Sequence, residues 1–360
     1  MDALKEMFNK GFYELLAGQI RNVEPDFSHK LFIKDVCFDL AQRSLNERLR
    51  YTSVILNKYL PHQYPKNLNL LKSVIPHMPG SYTNLLFPDY VAQFGQHDFD
   101  TSLEALKHFT QFGSSEFAIR VFLKKDFKRT IKVMEKWSKD HNHHVRRLAS
   151  EGSRPRLPWS FKLDAVIQDP SLTSNILNNL KADSVLYVRK SVANHLNDIS
   201  KEHPDYMLNL VQKWDVSNAH SAWIIKHASR TLIKKGHAGS LAVFNFEKNP
   251  KLKVKALKLQ SNQIKLGEYL SFEFDIVSEK NKNQKLVVDY LIHYRKKSGE
   301  LSPKVFKLKE VDLGAQQNRH FAKKQLIKDF TTRKHYPGKH LLEIQVNGQR
   351  LLSSAFEIIA

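Results

Sequence analysis

Asp140-His141-Asn142-His143-His144-Val145-Arg146-Arg147 returns 43 positions later as Asp183-Ser184-Val185-Leu186-Tyr187-Val188-Arg189-Lys190, an acid followed at five and six places by valine and arginine. A weaker third copy starts at Asp215 and reaches Ile225-Lys226. A period near 40 residues with two helices per unit reads as a stacked α-solenoid of HEAT type, because a single helix pair cannot bury its apolar face without neighbours. Such a stack curves, and its concave wall is a natural binding surface. The plain alternative is a chance echo within an all-helical chain.

Outward from the echo, apolar residues recur at three- and four-residue intervals from Ala3 to about Phe246, in short blocks punctuated by Pro25-Asp26, Pro61, Pro79-Gly80, Pro170 and Pro204-Asp205. That spacing predicts a succession of short helices. From Ser44 to Tyr59, for example, Leu45, Leu49, Val54 and Ile55, with Leu60 just beyond, fall near one stripe, leaving Arg48, Arg50 and Lys58 for water.

After Asn249-Pro250 the period changes to two. Lys251 to Leu259 reads K-L-K-V-K-A-L-K-L, and strand patterns follow at Tyr269–Val277, Leu286–Arg295, Lys304–Leu308, Leu341–Val346 and Phe356–Ile359. Turn signals separate them at Lys297-Ser298-Gly299, Pro337-Gly338 and Asn347-Gly348. The expected fold class is therefore mainly α: a HEAT-like α-solenoid over residues 1–246, followed by a small all-β, immunoglobulin-like antiparallel sandwich over 251–360.

With 57 Lys plus Arg against 36 Asp plus Glu, the chain carries +21, a surplus that favours an anionic partner. From Lys251 onward 22 basic and 11 acidic residues give +11, leaving +10 for the helical part. The single cysteine, Cys37, excludes an internal disulfide and a thiolate zinc site. No segment reaches the roughly 20 uninterrupted apolar residues of a membrane span, so a soluble, cytoplasmic protein is expected. His141, His143 and His144 cluster without a nearby Cys or an HExxH helix, so no metal is predicted. Without a Gly-rich phosphate loop, neither ATP nor a dinucleotide is implied.

The stretch with most chemistry runs from His144 through Val145-Arg146-Arg147-Leu148-Ala149-Ser150-Glu151-Gly152-Ser153-Arg154-Pro155-Arg156-Leu157-Pro158 to Trp159. A helix ending at Gly152 and two prolines predict an extended segment that projects Arg154, Arg156 and Trp159. The plain alternative is an inter-repeat loop, with Arg147 and Glu151 an i,i+4 pair and Trp159 a core ring. Farther on, Trp223, His227, Arg230 and Lys234 share one side of a helix as a basic and aromatic stripe, which serves equally as a solvated face or as a track for phosphates.

That stretch, with Ser115-Glu116-Phe117-Ala118-Ile119-Arg120, Tyr187-Val188-Arg189-Lys190-Ser191-Val192-Ala193-Asn194-His195-Leu196-Asn197-Asp198, and Trp223-Ile224-Ile225-Lys226-His227-Ala228, resembles the AlkC branch of the AlkC/AlkD DNA alkylation-repair superfamily. The resemblance covers most of residues 1–246 and rests on four motifs in order. It implies a HEAT-like, monofunctional DNA glycosylase for cationic alkylated bases such as 3-methyladenine, with 3-methylcytosine or 1-methyladenine as open cases. It further implies base excision repair without deep base flipping, and some members append an immunoglobulin-like domain.

A base that is already cationic has a weakened glycosidic bond. Its excision calls for negative charge beside an oxocarbenium-like sugar and a carboxylate to position water. The resemblance assigns these tasks to Glu151, Asp198 and Glu116, with Trp159 against the sugar or the base. Arg147, Arg154 and Arg156 suit phosphate because the guanidinium fork binds two oxygens, and Arg189, Lys190, Trp223, His227, Arg230 and Lys234 complete the expected DNA surface. Glu116 as a cap after Ser114-Ser115, and Asp198 as a partner of Lys201, are the competing roles. Lys323-Lys324, Lys328, Arg333-Lys334 and His335 lie between strand candidates and offer a second DNA contact or a solvated basic loop. The expected partner is double-stranded DNA bearing alkylated bases. No cofactor is needed, a monomer is expected, and the chain would be nucleoid-associated when on DNA. The competing function is a non-catalytic HEAT-repeat module that binds DNA or a protein partner.

Overall fold

The structure is a computed structural model and describes residues 4–61, 63–330 and 334–359. Its helices are α1 (Lys10–Val23), α2 (His29–Cys37), α3 (Leu45–Tyr59), α4 (Tyr64–Val74), α5 (Leu86–Phe94), α6 (Phe99–Phe109), α7 (Glu116–Lys125), α8 (Phe127–Trp137), α9 (His143–Gly152), α10 (Asp164–Gln168), α11 (Ser174–Asn179), α12 (Leu186–Ile199), α13 (Pro204–Gln212), α14 (Ala219–Ala228), α15 (Arg230–Lys234) and α16 (Ala238–Val243). The strands are β1 (Leu252–Leu259), β2 (Gln263–Lys265), β3 (Tyr269–Ser278), β4 (Gln284–Arg295), β5 (Leu301–Leu313), β6 (Asn318–Leu326), β7 (Gly338–Val346) and β8 (Gln349–Ile359). They divide into two compact units, Met1–Ala228 and Ser229–Ala360.

In the first unit α3, α5, α7, α9, α12 and α14 form one row, each packed on the next, while α4 packs on α6 and α8 backs α7 and α9. The sequence echo is a repeat of structure. Asp140, Asp183 and Asp215 each accept, at Oδ1, the amide of the residue two further on, all at 2.8 Å, an Asx turn that precedes α9, α12 and α14. Arg146 returns Nη1 to the carbonyls of Asp140 and His141 at 3.0 and 2.9 Å, and Arg189 does the same to Asp183 and Ser184 at 2.9 and 2.7 Å. Arg146 also holds the Asp183 carboxylate at 2.7 Å, so the arginine of one repeat fastens the turn of the next.

The α3 stripe needs correction. Arg48 is buried and donates to the carbonyls of Lys5 and Phe8 at 2.8 and 3.1 Å, while Val54 is exposed. The incoming N-terminal segment leaves backbone oxygens that require a donor, which a helical wheel cannot register.

In the second unit a three-stranded sheet, β1-β3-β6, faces a five-stranded one, β2-β8-β7-β4-β5, over a core that includes Phe274, Tyr290, Ile292, Leu342, Ile344 and Ile358. Asn347 and Gly348 both have positive φ, 48° and 84°, and close the β7–β8 hairpin as the sequence signals. The sandwich is not wholly antiparallel, because β2 pairs with β8 in parallel. β2 and β6 had no strand signal. β6 is an edge strand whose one deeply buried side chain is Phe321, and it carries Lys323 and Lys324, which were expected between strands. β5 is longer than expected and accepts Pro303 because it too is an edge. His335 is buried against Asp329 at 3.2 Å rather than presented on a loop, and Arg333 lies outside the described residues.

The change in sequence texture falls at Pro250, but the division by compactness falls at Ala228. Ile233 of α15, Leu241 of α16 and Phe246 bury against Val287 of β4, and Gln345 Nε2 donates to the Lys234 carbonyl at 2.9 Å. These short helices cap the five-stranded sheet, where an apolar strand face would otherwise meet water.

Candidate functional site

Three neighbouring helices of the row each contribute one acid. Glu116 is the first residue of α7, and Ser114 Oγ donates to its Oε2 at 2.7 Å. Glu151 lies in the last turn of α9, and Asp198 near the end of α12. Their side chains are nearly buried, at 14%, 7% and 5% exposed, which for carboxylates demands partners.

The partners are interleaved cations. Arg147 Nη1 binds Glu116 Oε2 and also donates to Ser114 Oγ at 2.8 Å, and its Nη2 is 3.6 Å from Glu151 Oε1. Arg154 Nη1 donates to that same Oε1 at 2.6 Å, while its Nε and Nη2 both reach Asp198 Oδ2 at 2.8 Å. Lys201 Nζ closes the series on Asp198 Oδ1 at 2.9 Å. The order Glu116, Arg147, Glu151, Arg154, Asp198, Lys201 alternates in sign throughout. Of the two competing roles, the Lys201 pair with Asp198 is present, whereas Glu116 does not cap α7: it is the first helical residue, Ser115 is the N-cap without a side-chain hydrogen bond, and the Glu116 carboxylate is held by Ser114 and Arg147.

Not every oxygen is used. Among the described residues Glu116 Oε1 and Glu151 Oε2 receive no hydrogen bond, whereas both oxygens of Asp198 are occupied. Glu116, Glu151, Arg147 and Arg154 line a cleft of about 580 Å³ whose other walls include Tyr82, Phe112, Phe117, Trp159 and Tyr187. Asp198 stands behind Arg154 and does not line it.

The approach to Trp159 differs from the expected extended segment. After Gly152 the chain makes successive turns, tied by Ser160 N to Leu157 O at 3.3 Å and Leu163 N to Pro155 O at 3.1 Å. Trp159 itself is 73% exposed with φ +64°, so it is neither a core ring nor in extended backbone. Arg154 is buried rather than projected, and its guanidinium is committed to two carboxylates instead of a phosphate. Burial opposes its charge, but Glu151 and Asp198 outweigh it and hold its pKa above the ordinary arginine value. Arg156 pairs with Glu202 at 2.6 Å.

Of the remaining expected DNA-binding residues, Arg189, Trp223 and His227 come together. Arg189 is half-buried in its repeat turn with its guanidinium 5.7 Å over the Trp223 ring, and Lys190 is exposed. Trp223 and His227 stack with ring centroids 3.6 Å apart. The stripe then breaks at Ser229, between α14 and α15. Arg230 and Lys234 belong to the second unit, where Lys234 Nζ donates to Val305 O at 3.1 Å.

Four residues near the site, all within the singled-out stretches, carry no catalytic or DNA-binding expectation. Tyr187 packs its ring 5.0 Å from the Arg147 guanidinium, and burial raises its pKa. His144 lines the cleft, and burial lowers its pKa, with His143 and Arg147 adding to the effect. His195 is fully buried, with Nδ1 2.9 Å from the Ser150 carbonyl and Nε2 3.2 Å from Thr173 Oγ1, and burial drops its pKa to about 3. Arg120 is also fully buried and donates Nη1 to the carbonyls of Gly152 and Arg154 at 3.0 and 2.6 Å, and Nη2 to that of Phe161. For Arg120 and His195 a polar side chain within an apolar stretch was the available signal. Its burial was not legible.

Known proteins resemble both parts of the chain. Residues 94–232 match the family model of the DNA alkylation repair enzymes, and residues 253–360 match that of the YhaZ C-terminal Ig-like domain. The YhaZ protein of Bacillus subtilis is 42% identical over 359 residues, covering 99% of this chain and all of its own. A solved structure of the Pseudomonas fluorescens alkylpurine DNA glycosylase AlkC, bound to DNA containing an abasic site analog, is 48% identical with full coverage of both chains and a TM-score of 0.95.

Proposed function

The chain belongs to the AlkC-type DNA alkylation repair enzymes with a YhaZ-like C-terminal domain, and on that premise we propose that it is a DNA glycosylase that excises cationic alkylated bases from duplex DNA. The observation that carries the reading is the alternating ion-pair series, which brings acids from three helices together and, among the described residues, leaves Glu116 Oε1 and Glu151 Oε2 uncommitted on two residues that line the cleft.

An N3-alkylated adenine departs as a neutral base once its glycosidic bond breaks, so no acid need protonate it. The electron pair of that bond leaves with the base and the sugar becomes an oxocarbenium ion. Glu151 Oε2 faces that positive charge, orients the water whose oxygen adds to C1′ and takes the proton that water gives up, passing it to solvent, while Glu116 Oε1 supplies a second negative edge. Asp198 acts through Arg154, fixing the guanidinium that in turn fixes Glu151. Trp159, on the rim of an open cleft, offers its ring to the sugar or to the cationic base, a contact worth about 0.5–2 kcal/mol. The reaction is a hydrolysis, for which water is the second substrate and no cofactor is required.

Incubating methylated duplex DNA with the parent protein should release free 3-methyladenine. Glu151→Gln, which keeps the shape but not the charge, should slow release by about 10²–10³-fold. A parent that releases nothing while still binding duplex would favour a non-catalytic DNA-binding module. Full release by Glu151→Gln would remove Glu151 from the mechanism.

A further inference from the structure

Two features around residues 152–161 each cost stability without being explained by packing, and a third shows what they serve. Trp159 adopts φ +64°, a region unfavourable for a bulky side chain, yet its ring is 73% exposed, so burial of the indole does not hold it there. Arg120 is a guanidinium with no measurable exposure and, among the described residues, no carboxylate in contact; its Nε has no hydrogen-bond partner. Desolvating an unpaired guanidinium is costly, and only its hydrogen bonds offset that cost. The third feature is what Arg120 does with its remaining donors, which reach the carbonyls of Gly152, Arg154 and Phe161. These oxygens bracket the turn that bears Arg154 and Trp159, and the Phe161 ring lies 5.3 Å from the same guanidinium.

We infer that Arg120 is a positioning residue: its planar fork clamps three backbone carbonyls from beneath and thereby holds the Trp159 turn and the Arg154 guanidinium in register with Glu151. Only a guanidinium presents several donors in one rigid plane, so a lysine reaches at most part of this set. The clamp never meets DNA. It acts through where it places Trp159 and Arg154, and the inference rests on the glycosylase reading only for its kinetic consequence.

Arg120→Met and Arg120→Lys, compared with the parent, test it by three readouts. Single-turnover base release should fall about 100-fold in Arg120→Met, as a displacement near 1 Å at a reacting site can cause, and by an intermediate factor in Arg120→Lys. Affinity for a duplex carrying an abasic-site analogue should stay within about threefold, splitting rate from binding. Amide exchange over residues 153–161, measured without DNA, should quicken about tenfold while α7 and α12 keep their protection. Parent-like exchange in that turn would overturn the clamp, as would a parent-like rate in Arg120→Met or a loss of affinity matching the loss of rate. Should Arg120→Met not fold, Arg120→Lys decides by the same criteria. If the parent releases no base, the glycosylase reading has failed, and the exchange of residues 153–161 alone decides the clamp.

Discussion

Arg154 and His195 show how burial changes what a residue can do. Arg154 stands in a motif rich in cations and prolines, and its sequence context favours a phosphate. Its 2.6 and 2.8 Å contacts to Glu151 and Asp198 make it instead the pin between two acids. Removing a single member of such a buried pair leaves the other uncompensated, which typically costs about 3–5 kcal/mol. Asp198→Asn is therefore expected to lower both stability and base release. Urea unfolding and single-turnover rates on the same sample would check this, and an unchanged midpoint would refute it. His195 makes a pH prediction. Its pKa falls from 6.5 to about 3 because burial disfavours the imidazolium. Between those values the unfolded chain binds more protons than the folded one, so stability rises with pH there. The His195 contribution is complete above about pH 6.5 and is lost as pH falls toward 3, with a slope of at most about 1.4 kcal/mol per pH unit. Chemical unfolding of the parent and of His195→Gln from pH 4 to 7 should show a steeper pH dependence for the parent; parallel curves would contradict it.

At the scale of elements, the contact between α7 and α9 sets the distance between Glu116 and Glu151. Gly152 was read from sequence as a helix stop, and it is the last residue of α9, but its φ is not positive and the following residue, Ser153, caps the helix in ordinary backbone. Its importance is closeness. A Cβ at Gly152 would sit 2.5 Å from Ile119 Cγ2 and 3.2 Å from Met134 Cε, so glycine lets α9 approach both α7 and α8. Gly152→Ala should destabilise the first unit by about 1–3 kcal/mol through overpacking. A thermal melt resolves a change of that size, and a Tm equal to the parent's would show that the helices yield without cost. The repeat was legible at this scale because its acid, valine and arginine stand close together in the chain, whereas the Asx turns the acids make, and the arginine that binds the next repeat's acid, belong to the structure.

For the whole chain, a charge of +21 spread over both halves predicts that DNA affinity falls steeply with salt. For a footprint of six to ten phosphates the loss is about 10³–10⁵ between 50 and 200 mM salt. A titration over that range would show a flat profile if the basic surface touched no phosphate. Domain boundaries are equally testable. A chain ending at Ala228 stops where the first compact unit stops, but one ending at Pro250 retains Ile233, Leu241 and Phe246 without the Val287 face that covers them. The shorter chain should remain monodisperse in gel filtration while the longer one aggregates; the opposite result would place the second unit's start at the texture change.

Period and turn chemistry were enough to give helices up to Phe246, strands beyond Pro250 and the repeat at Asp140 and Asp183, because each depends on residues near one another in the chain; the three acids stood out only through the resemblance of their motifs, and their meeting is a tertiary fact. Edge strand β6 carries no sequence signal because a strand with little burial shows little alternation. The reassignment of Arg154 and the clamp at Arg120 were decided by tertiary structure alone. Whether a guanidinium meets solvent, a carboxylate or a backbone carbonyl depends on desolvation by residues more than 30 positions away, and the free energy of a buried charge is set by those neighbours rather than by the residue's own type.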